Sequence, residues 1–306
     1  MSAKVKGFLY GVATSVTFGL IPLFTLPLMR AGMETDSILF YRFATATVAL
    51  GLMMVAKKEG FGLPWRDVPI VVVLAALYMG SAQFLLYGYE VMGAGVATTL
   101  HFTYPVFVTL LMLVLFRERA SWVTWMAVVL AICGVARLSL NGAELRLPLM
   151  GVAVILLSAV AYASYIIMVN KSRVRDVHSR KLAFYVFLFT TVMFAVKNAA
   201  GDGVQPLPDA WAAVNVVMLA VAPTVISNIT LLLAVRNIGG TLTSILGALE
   251  PVTAVCIGAL VFGEAFTFGE AVGIALILVA VVLVILNRSI KENAAVLLKR
   301  IRPRHS

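Results

Sequence analysis

The sequence has few of the charged residues with which soluble proteins cover their surfaces. Charged residues make up only 12% of its 306 residues, whereas hydrophobic residues make up 61% and the mean hydropathy is +1.00. A water-soluble domain of this size could not bury so much apolar surface. The low charge therefore excludes an ordinary soluble protein and indicates an integral membrane protein.

Histidine and cysteine are also scarce, with three and two residues respectively. No two histidines stand at metal-ligand spacing, and no phosphate-binding loop pattern occurs, which argues against a metalloenzyme and against an ATP-driven pump. Cys133 and Cys256 fall in apolar runs of different halves, which favours buried packing thiols over a disulfide. We therefore expect no cofactor, no metal and no enzymatic activity.

What the sequence does contain is a series of long apolar runs. A helix needs about 20 apolar residues to cross the hydrocarbon core, and unbroken runs favour helices over the alternating strands of a barrel. We predict an all-α membrane protein with ten transmembrane helices, near residues 6–28, 38–56, 68–89, 94–116, 122–140, 149–170, 182–200, 211–235, 241–262 and 266–286. The links at 90–95 and 236–240 are so short that the helices flanking each link must be antiparallel neighbours.

The two halves of the chain repeat one plan. The stretch TLHFTYPVFVTLLMLVLFRE at 99–118 reappears as ILGALEPVTAVCIGALVFGE at 245–264, which aligns Pro105 with Pro251 and Glu118 with Glu264. A nearly equal offset aligns the earlier parts of the halves, in the same order, which indicates an internal duplication. We therefore expect one five-helix repeat over 1–146, a second over 147–288 and a basic cytoplasmic tail over 289–306.

The basic residues fix an orientation. If the amino terminus is cytoplasmic, almost all Lys and Arg fall on the cytoplasmic side, and only Arg30, Arg137, Arg146 and Lys197 fall outside. The positive-inside rule then predicts a multi-pass protein with both termini in the cytoplasm. The net charge of +10 lies beside helix ends and in the tail, which suits an anionic leaflet and argues against nucleic acid. Five spans per repeat make the second repeat inverted, as in alternating-access transporters.

Polar residues share one face in the fourth span and one face in the ninth. The duplicated prolines, Pro105 and Pro251, each remove a backbone hydrogen bond and predict a hinge of the kind that membrane helices use around cavities. The candidate substrate-binding residues on these two faces are Thr98, His101 and Tyr104 in the fourth span and Ser244 and Glu250 in the ninth.

Glu250 and His101 are the most informative of these candidates. An ionisable group at membrane depth costs about 2.5 to 3.5 kcal/mol on insertion scales and marks a functional site by default. Glu250 could couple transport or contact substrate, and His101 could donate a hydrogen bond or carry a proton near neutral pH. Structural hydrogen bonds to neighbouring helices are the alternative for both residues.

Arg42 is the remaining cation within a span. Its guanidinium could clamp a carboxylate or phosphate through two parallel hydrogen bonds. The preferred interpretation is a positional anchor or a partner for Glu34 or Asp36, which lie nearby in the sequence.

Further candidates lie on four other spans. The third and eighth spans carry matching polar stripes, whose alternative role is helix packing. Aromatic residues on the first and sixth spans could wall a cavity or simply pack in the core or against lipid. These candidates are Tyr78, Ser81, Ser227, Asn228, Phe18 and Tyr162.

Glu118 and Glu264 each stand at the entry to a short turn before the next helix. A carboxylate there can cap the N-terminus of the following helix and fix the hairpin. We prefer this structural role over direct contact with substrate.

The duplicated segments carry a family resemblance. The proline-containing LHFTYPVFVTLLMLVLFRE, the second-half ALEPVTAVCIGALVFGEAFTFGEAVGIALILVAVVLV and the two five-helix halves resemble the EamA family of the drug/metabolite transporter superfamily, over about residues 7–287. The resemblance implies a permease or exporter of the inner (plasma) membrane, with a central cavity between the halves and no ATP hydrolysis. Characterised members move amino acids and other metabolites, or in related branches nucleotide sugars and sugar phosphates.

These observations together predict a secondary transporter of small, amino-acid-like metabolites that works by alternating access. Proton coupling, a nucleotide-sugar or sugar-phosphate exchanger, and more remotely a channel or an intramembrane enzyme remain alternatives. The expected partners are a small-molecule substrate and the lipid bilayer, with protons as a further option. Whether the protein is a monomer or a homodimer stays open.

Overall fold

The computed structural model describes residues 3–117, 121–139, 149–265 and 267–301, without the side chains at 3, 138, 139, 232, 235, 236, 239–242, 244, 245 and 287–301. All the regular structure in these residues is helical. The first half contains α1 Ala3–Gly19, α2 Ile21–Arg30, α3 Thr35–Ala56, α4 Val68–Met92, α5 Ala94–His101, α6 Tyr104–Phe116 and α7 Trp122–Ser139. The second half contains α8 Leu149–Lys171, a 3₁₀ turn Arg173–Asp176, α9 Ser179–Ala200, α10 Ala210–Ala220, a π segment Val221–Ile226, α11 Ser227–Leu246, α12 Leu249–Phe262 and α13 Phe268–Ile301.

Eight helical stretches of the described chain are long and apolar enough to cross a membrane. They are Lys4–Arg30, Thr35–Ala56, Val68–Met92, Ala94–Phe116, Leu149–Lys171, Ser179–Ala200, Ala210–Leu231 and Phe268–Leu286, and two shorter apolar helices cover Trp122–Arg137 and Leu249–Phe262. The predicted all-helical membrane class is confirmed. The count of ten spans stays a prediction, because two of the predicted spans fall short of this length.

The helices pair across the two halves. The most extensive contacts join α3 with α9, α7 with α13, α1 with α11 and α4 with α8, and α5 packs on α12. In the predicted alignment of the halves, α3 corresponds to α9 and α7 to α13, so each of these helices packs against its own counterpart. Helix α1 corresponds to α8, and α4 to the span that includes the start of α11, so the α1–α11 pair in one half-to-half contact is equivalent to the α8–α4 pair in the other. This is the pattern expected of two related halves packed face to face.

Both duplicated prolines begin a new helix. The fourth span is broken at Phe102 and Thr103, and Pro105 is the second residue of α6. Pro251 is the third residue of α12, after a break at residues 247–248. Proline is tolerated in the first turn of a helix because its missing N–H would have no partner there. The sequence predicted hinges at these points, and in the structure two turn residues interrupt the helix at each of them.

Helix α11 is not a straight rod. Thr14 of α1 hydrogen-bonds Thr230 at 2.7 Å, and a Cβ built on Gly11, one turn earlier, would lie 2.4 Å from Leu246 Cδ1. A straight helix would separate residues 230 and 246 by about 24 Å at 1.5 Å per residue. Their partners on α1, Thr14 and Gly11, are only about one helical turn apart, so residues 230 and 246 must lie much closer together than that. The chain therefore reverses direction within α11, as the short predicted link at 236–240 requires.

Glu264 caps a helix, but not the helix that the sequence predicted. Its carboxylate accepts hydrogen bonds from the backbone N–H groups of Ala94 at 2.8 Å and Gly95 at 3.3 Å, at the start of α5 in the other half. The following helix, α13, is instead capped by Thr267. The expected local cap is therefore wrong for Glu264. Gly93 has a φ of +79° and lies beside the carboxylate, so a side chain there would be strained and would crowd it. Glu118 lies outside the described residues.

An ion pair ties each end of the α3–α9 pair. Asp36 accepts from Lys197 at 2.8 Å at one end, and Glu59 pairs with Arg180 at the other. The hydrogen bond and charge of Arg180 hold the pKa of the exposed Glu59 carboxyl below its usual value. Gln83 also donates to Asp36, at 2.8 Å. Asp36, which the sequence analysis considered as a partner of Arg42, is therefore paired with Lys197 and Gln83.

Both cysteines are free and exposed on the outside of the bundle. The prediction that they are buried packing thiols is wrong, because Cys133 and Cys256 lie on the outward faces of α7 and α12. In a membrane these faces meet lipid, where an apolar thiol is tolerated as well as in a core.

Candidate functional site

A cavity of about 180 Å³ lies between the two halves. Both halves contribute residues to its wall. Residues next to the two helix breaks also line it: His101 is the last residue of α5, Tyr104 is the first residue of α6, and Glu250 is the second residue of α12. The residues lining it are Thr14, Ser15, Phe18, Ile21, Arg42, Tyr78, Ser81, Ala82, Leu85, His101, Tyr104, Tyr162, Leu231, Thr243, Gly247 and Glu250.

One wall of the cavity is aromatic. Tyr162 lies at its centre, with its ring centroid 4.8 Å from that of Tyr104, 5.5 Å from His101 and 6.2 Å from Tyr78. Tyr165 stacks behind it at 5.9 Å. Edge-on and tilted aromatic pairs of this kind hold each other in place and present both apolar faces and polar tips.

His101 is held by a short polar chain that fixes its tautomer. The Ser158 hydroxyl donates to the Ser81 carbonyl at 2.6 Å and lies 3.0 Å from His101 Nδ1. A hydroxyl has one proton, so Ser158 must accept from the ring, and Nδ1 carries a hydrogen. In a neutral imidazole Nε2 is then the acceptor, and it is the ring's remaining polar atom for the cavity.

Arg42 is buried in the cavity wall without an acidic partner. It is only 3% exposed, and its Nε donates to the Thr224 hydroxyl at 3.3 Å. Among the described residues, no carboxylate lies within 4.0 Å of its guanidinium. The preferred interpretation allowed a positional anchor or a partner for Glu34 or Asp36, and the second of these, the pairing, is therefore wrong. Thr224 belongs to the π segment, a helical distortion that is frequent at functional sites.

Glu250 presents its carboxyl group to the same cavity. Among the side chains that the structure describes, none hydrogen-bonds or pairs with this carboxyl group. Its backbone is tightly placed, because its N–H donates to the Gly247 carbonyl at 2.9 Å and a Cβ on Gly19 of α1 would lie 2.7 Å from its carbonyl oxygen. The first span therefore positions the start of α12, and with it the Glu250 side chain.

Three of the predicted substrate-binding residues do not line the described cavity wall. Thr98 is buried and bonds the Tyr89 hydroxyl at 3.1 Å, whereas Ser227 donates to the Pro223 carbonyl at 2.6 Å and Asn228 to the Thr224 carbonyl. These polar groups are used within the protein. The side chain of Ser244 lies outside those that the structure describes. The eight other predicted substrate-binding residues line the cavity.

The sequence analysis missed Thr14, Ser15 and Ser158. The first two share a face of α1 with Phe18, and the Ser158 hydroxyl lies one and two turns before Tyr162 and Tyr165 on α8, at helical spacing. That spacing was a usable signal in both cases. In the described part of the chain, no group of three or more His, Cys, Asp and Glu residues could hold a metal ion.

Replacing Ser158 with alanine should weaken the binding of a ligand that donates a hydrogen bond to His101 Nε2 about fivefold, the cost of one ordinary hydrogen bond of about 1 kcal/mol. The reason is that Nδ1 of His101 would lose its acceptor, so both tautomers would become populated. Nitrogen NMR shifts of labelled histidine would report the tautomers, and Ser158→Thr should restore them. Thr191→Ala is the control, because the Thr191 hydroxyl bonds only a carbonyl of its own helix, outside the cavity. An unchanged tautomer in Ser158→Ala would contradict the prediction.

Comparisons with known proteins agree with this architecture. The profile of the EamA-like transporter family matches residues 5–140 and again residues 149–286. An uncharacterized transporter of Synechocystis is 25% identical over 76% of this chain and 74% of its own length. The uncharacterized transporters YdfC and YetK of Bacillus subtilis are each 24% identical, over 81% of this chain and over 81% and 77% of their own lengths. One solved structure, titled only as a crystal structure of a protein, shares the fold with a TM-score of 0.64 at 18% identity, covering 98% of this chain and 100% of that one.

Proposed function

We propose, because this chain belongs to the EamA-like transporter family, that it carries a small zwitterionic, amino-acid-like metabolite across the cytoplasmic membrane by alternating access. The family membership makes it a membrane transporter and not an enzyme. The substrate class and the mechanism are our inference from the cavity.

The observation that carries the substrate class is one basic and one acidic side chain in the same cavity, neither of them paired with a charged protein group among the described residues. The guanidinium of Arg42 offers its terminal nitrogens, and the carboxyl group of Glu250 offers its oxygens. Buried charges are costly unless they are paired. A substrate with one carboxylate and one ammonium group would pair both, and the tyrosines would contact its side chain.

A sugar phosphate or nucleotide sugar is the second candidate, since the planar guanidinium of Arg42 also suits a phosphate. The Glu250 carboxylate counts against it, because a second negative charge would oppose a phosphate in a cavity of about 180 Å³. The cavity volume also favours a small metabolite over a nucleotide sugar.

Alternating access follows from the arrangement that we infer for the two halves. Ten spans in two inverted five-helix repeats, with both termini in the cytoplasm, would place the broken fourth and ninth spans at corresponding depths on opposite sides of the cavity. Rocking one half against the other would then open the cavity to each side in turn. Proton coupling would use the Glu250 carboxyl group, which could hold a proton when no ammonium group occupies the cavity.

Counterflow in liposomes that contain the purified protein tests the proposal. Liposomes loaded with one unlabelled neutral amino acid should accumulate the same labelled compound transiently and saturably, whereas sugar phosphates should give no counterflow. Protein-free liposomes are the control. No counterflow across a panel of neutral amino acids would refute the substrate class, and counterflow of a sugar phosphate would favour the second candidate.

A further inference from the structure

Helices α6 and α8 separate near their carboxyl ends and leave a groove outside the central cavity. Deeper in the bundle the two helices are in close contact through Val108, Met112, Ala163 and Ile167. Beyond that contact the groove has a volume of about 300 Å³, which is the lower end of the range for small-molecule sites. Its walls are mostly apolar and are formed by Leu111, Leu115, Phe116, Ile167 and Met168.

The open end of the groove is polar and cationic. Lys171 lines it, with its Nζ 5.1 Å from the centre of the Phe116 ring. Ser172 also lines it, and the hydroxyl of this residue is buried without a hydrogen-bond partner among the described residues. A buried hydroxyl without a partner is costly, and an ammonium group that lines the same groove attracts anions, so the two together indicate an anionic acceptor from outside the protein.

The position in the bilayer identifies that acceptor. The span formed by α8 ends at Lys171, so the apolar walls lie at the depth of acyl chains and Lys171 lies at the depth of headgroups. The adjoining turn adds Arg173 and Arg175 against a single acid, Asp176. The described lining of the groove contains no acidic side chain.

We propose that this groove binds one anionic phospholipid. An acyl chain lies along the apolar walls, and the lipid phosphate accepts hydrogen bonds from the Lys171 ammonium group and the Ser172 hydroxyl. A zwitterionic lipid binds less well, because its own ammonium group meets the basic turn. This site is independent of the substrate that the central cavity carries.

Native mass spectrometry of the full-length protein, purified in detergent with equal amounts of phosphatidylglycerol and phosphatidylethanolamine, tests the site. We expect one retained phosphatidylglycerol and an about fivefold weaker retention in Lys171→Gln, since one basic residue at an anionic headgroup contributes about that factor. Lys57→Gln is the matched control. Lys57 follows α3 at the same end of the bundle, as the Glu59–Arg180 pair shows, but it lies outside the groove.

A second variant separates the groove from general electrostatic attraction. Ser164→Phe places a ring in the groove, which Ser164 lines, and leaves every charge in place. It should also lose the lipid. Equal losses in Lys57→Gln and Lys171→Gln, or full retention in Ser164→Phe, would overturn the proposal. Displacement of the lipid by inorganic phosphate at millimolar concentration would also overturn it, because it would show an anion site that needs no acyl chain.

Discussion

Substrate transport by the Glu250→Gln variant should fall at least about thirtyfold in kcat/KM. The change keeps the size of the side chain and one of its two oxygens, but it removes the only acidic group in the described cavity wall. Removing one partner of a buried charge pair costs about 2 to 5 kcal/mol, because the other charge is left unpaired. Initial rates of counterflow in liposomes measure the loss.

The matched control is Glu270→Gln, which makes the same chemical change outside the cavity, in a partly exposed residue that accepts a hydrogen bond from the backbone N–H of Thr267 at the start of α13. Equal amounts of both variants in the membrane fraction would show that Glu250→Gln still assembles. A substrate analogue with hydroxyl in place of the ammonium group should bind both the wild type and Glu250→Gln equally weakly. Counterflow at the wild-type rate in Glu250→Gln would contradict the role in substrate binding. Loss of gradient-driven uptake with intact counterflow would assign Glu250 to proton coupling alone.

The architecture was predictable because it depends on patterns that lipid enforces. Apolar runs of spanning length can only be helices, and the repeated prolines mark the same point in both halves. The sequence therefore located the breaks beside Pro105 and Pro251, and with them His101, Tyr104 and Glu250. These three are among the eight of the twelve predicted substrate-binding residues that line one cavity.

The rest depended on contacts between residues far apart in the sequence. Nothing near Glu264 in the sequence shows that its carboxylate reaches Ala94 in the other half. Nearby acids made a local partner for Arg42 plausible, yet Asp36 is occupied by Lys197. The spacing of Ser158 to Tyr162 indicates their shared helix face, but its contacts with His101 and Ser81 were not predictable, because a serine in an apolar helix most often bonds a carbonyl of its own helix.

Arg42→Gln should also reduce transport at least about thirtyfold, for the complementary reason. The substrate carboxylate would lose the charged guanidinium, which can donate two parallel hydrogen bonds to it. The Thr224 hydroxyl would lose the hydrogen bond from Arg42 Nε and would face a neutral amide instead. Arg42→Lys should recover only part of the activity, since an ammonium group cannot form two parallel hydrogen bonds to one carboxylate. The effect can be measured by competition: the unlabelled amino acid substrate and its amide are each tested for how well they displace the labelled substrate from the protein.

The pair of competitors separates recognition from folding. The wild type should prefer the acid to the amide by at least about thirtyfold, and Arg42→Gln should bind both with similar, weak affinity, because the amide never engaged the guanidinium. A misfolded variant would bind neither. Arg137→Gln, which neutralises an exposed arginine of α7, should keep the preference of the wild type. If Arg42→Gln still discriminates between the acid and the amide, the carboxylate of the substrate must bind elsewhere, and the zwitterion in the central cavity must lie in another orientation.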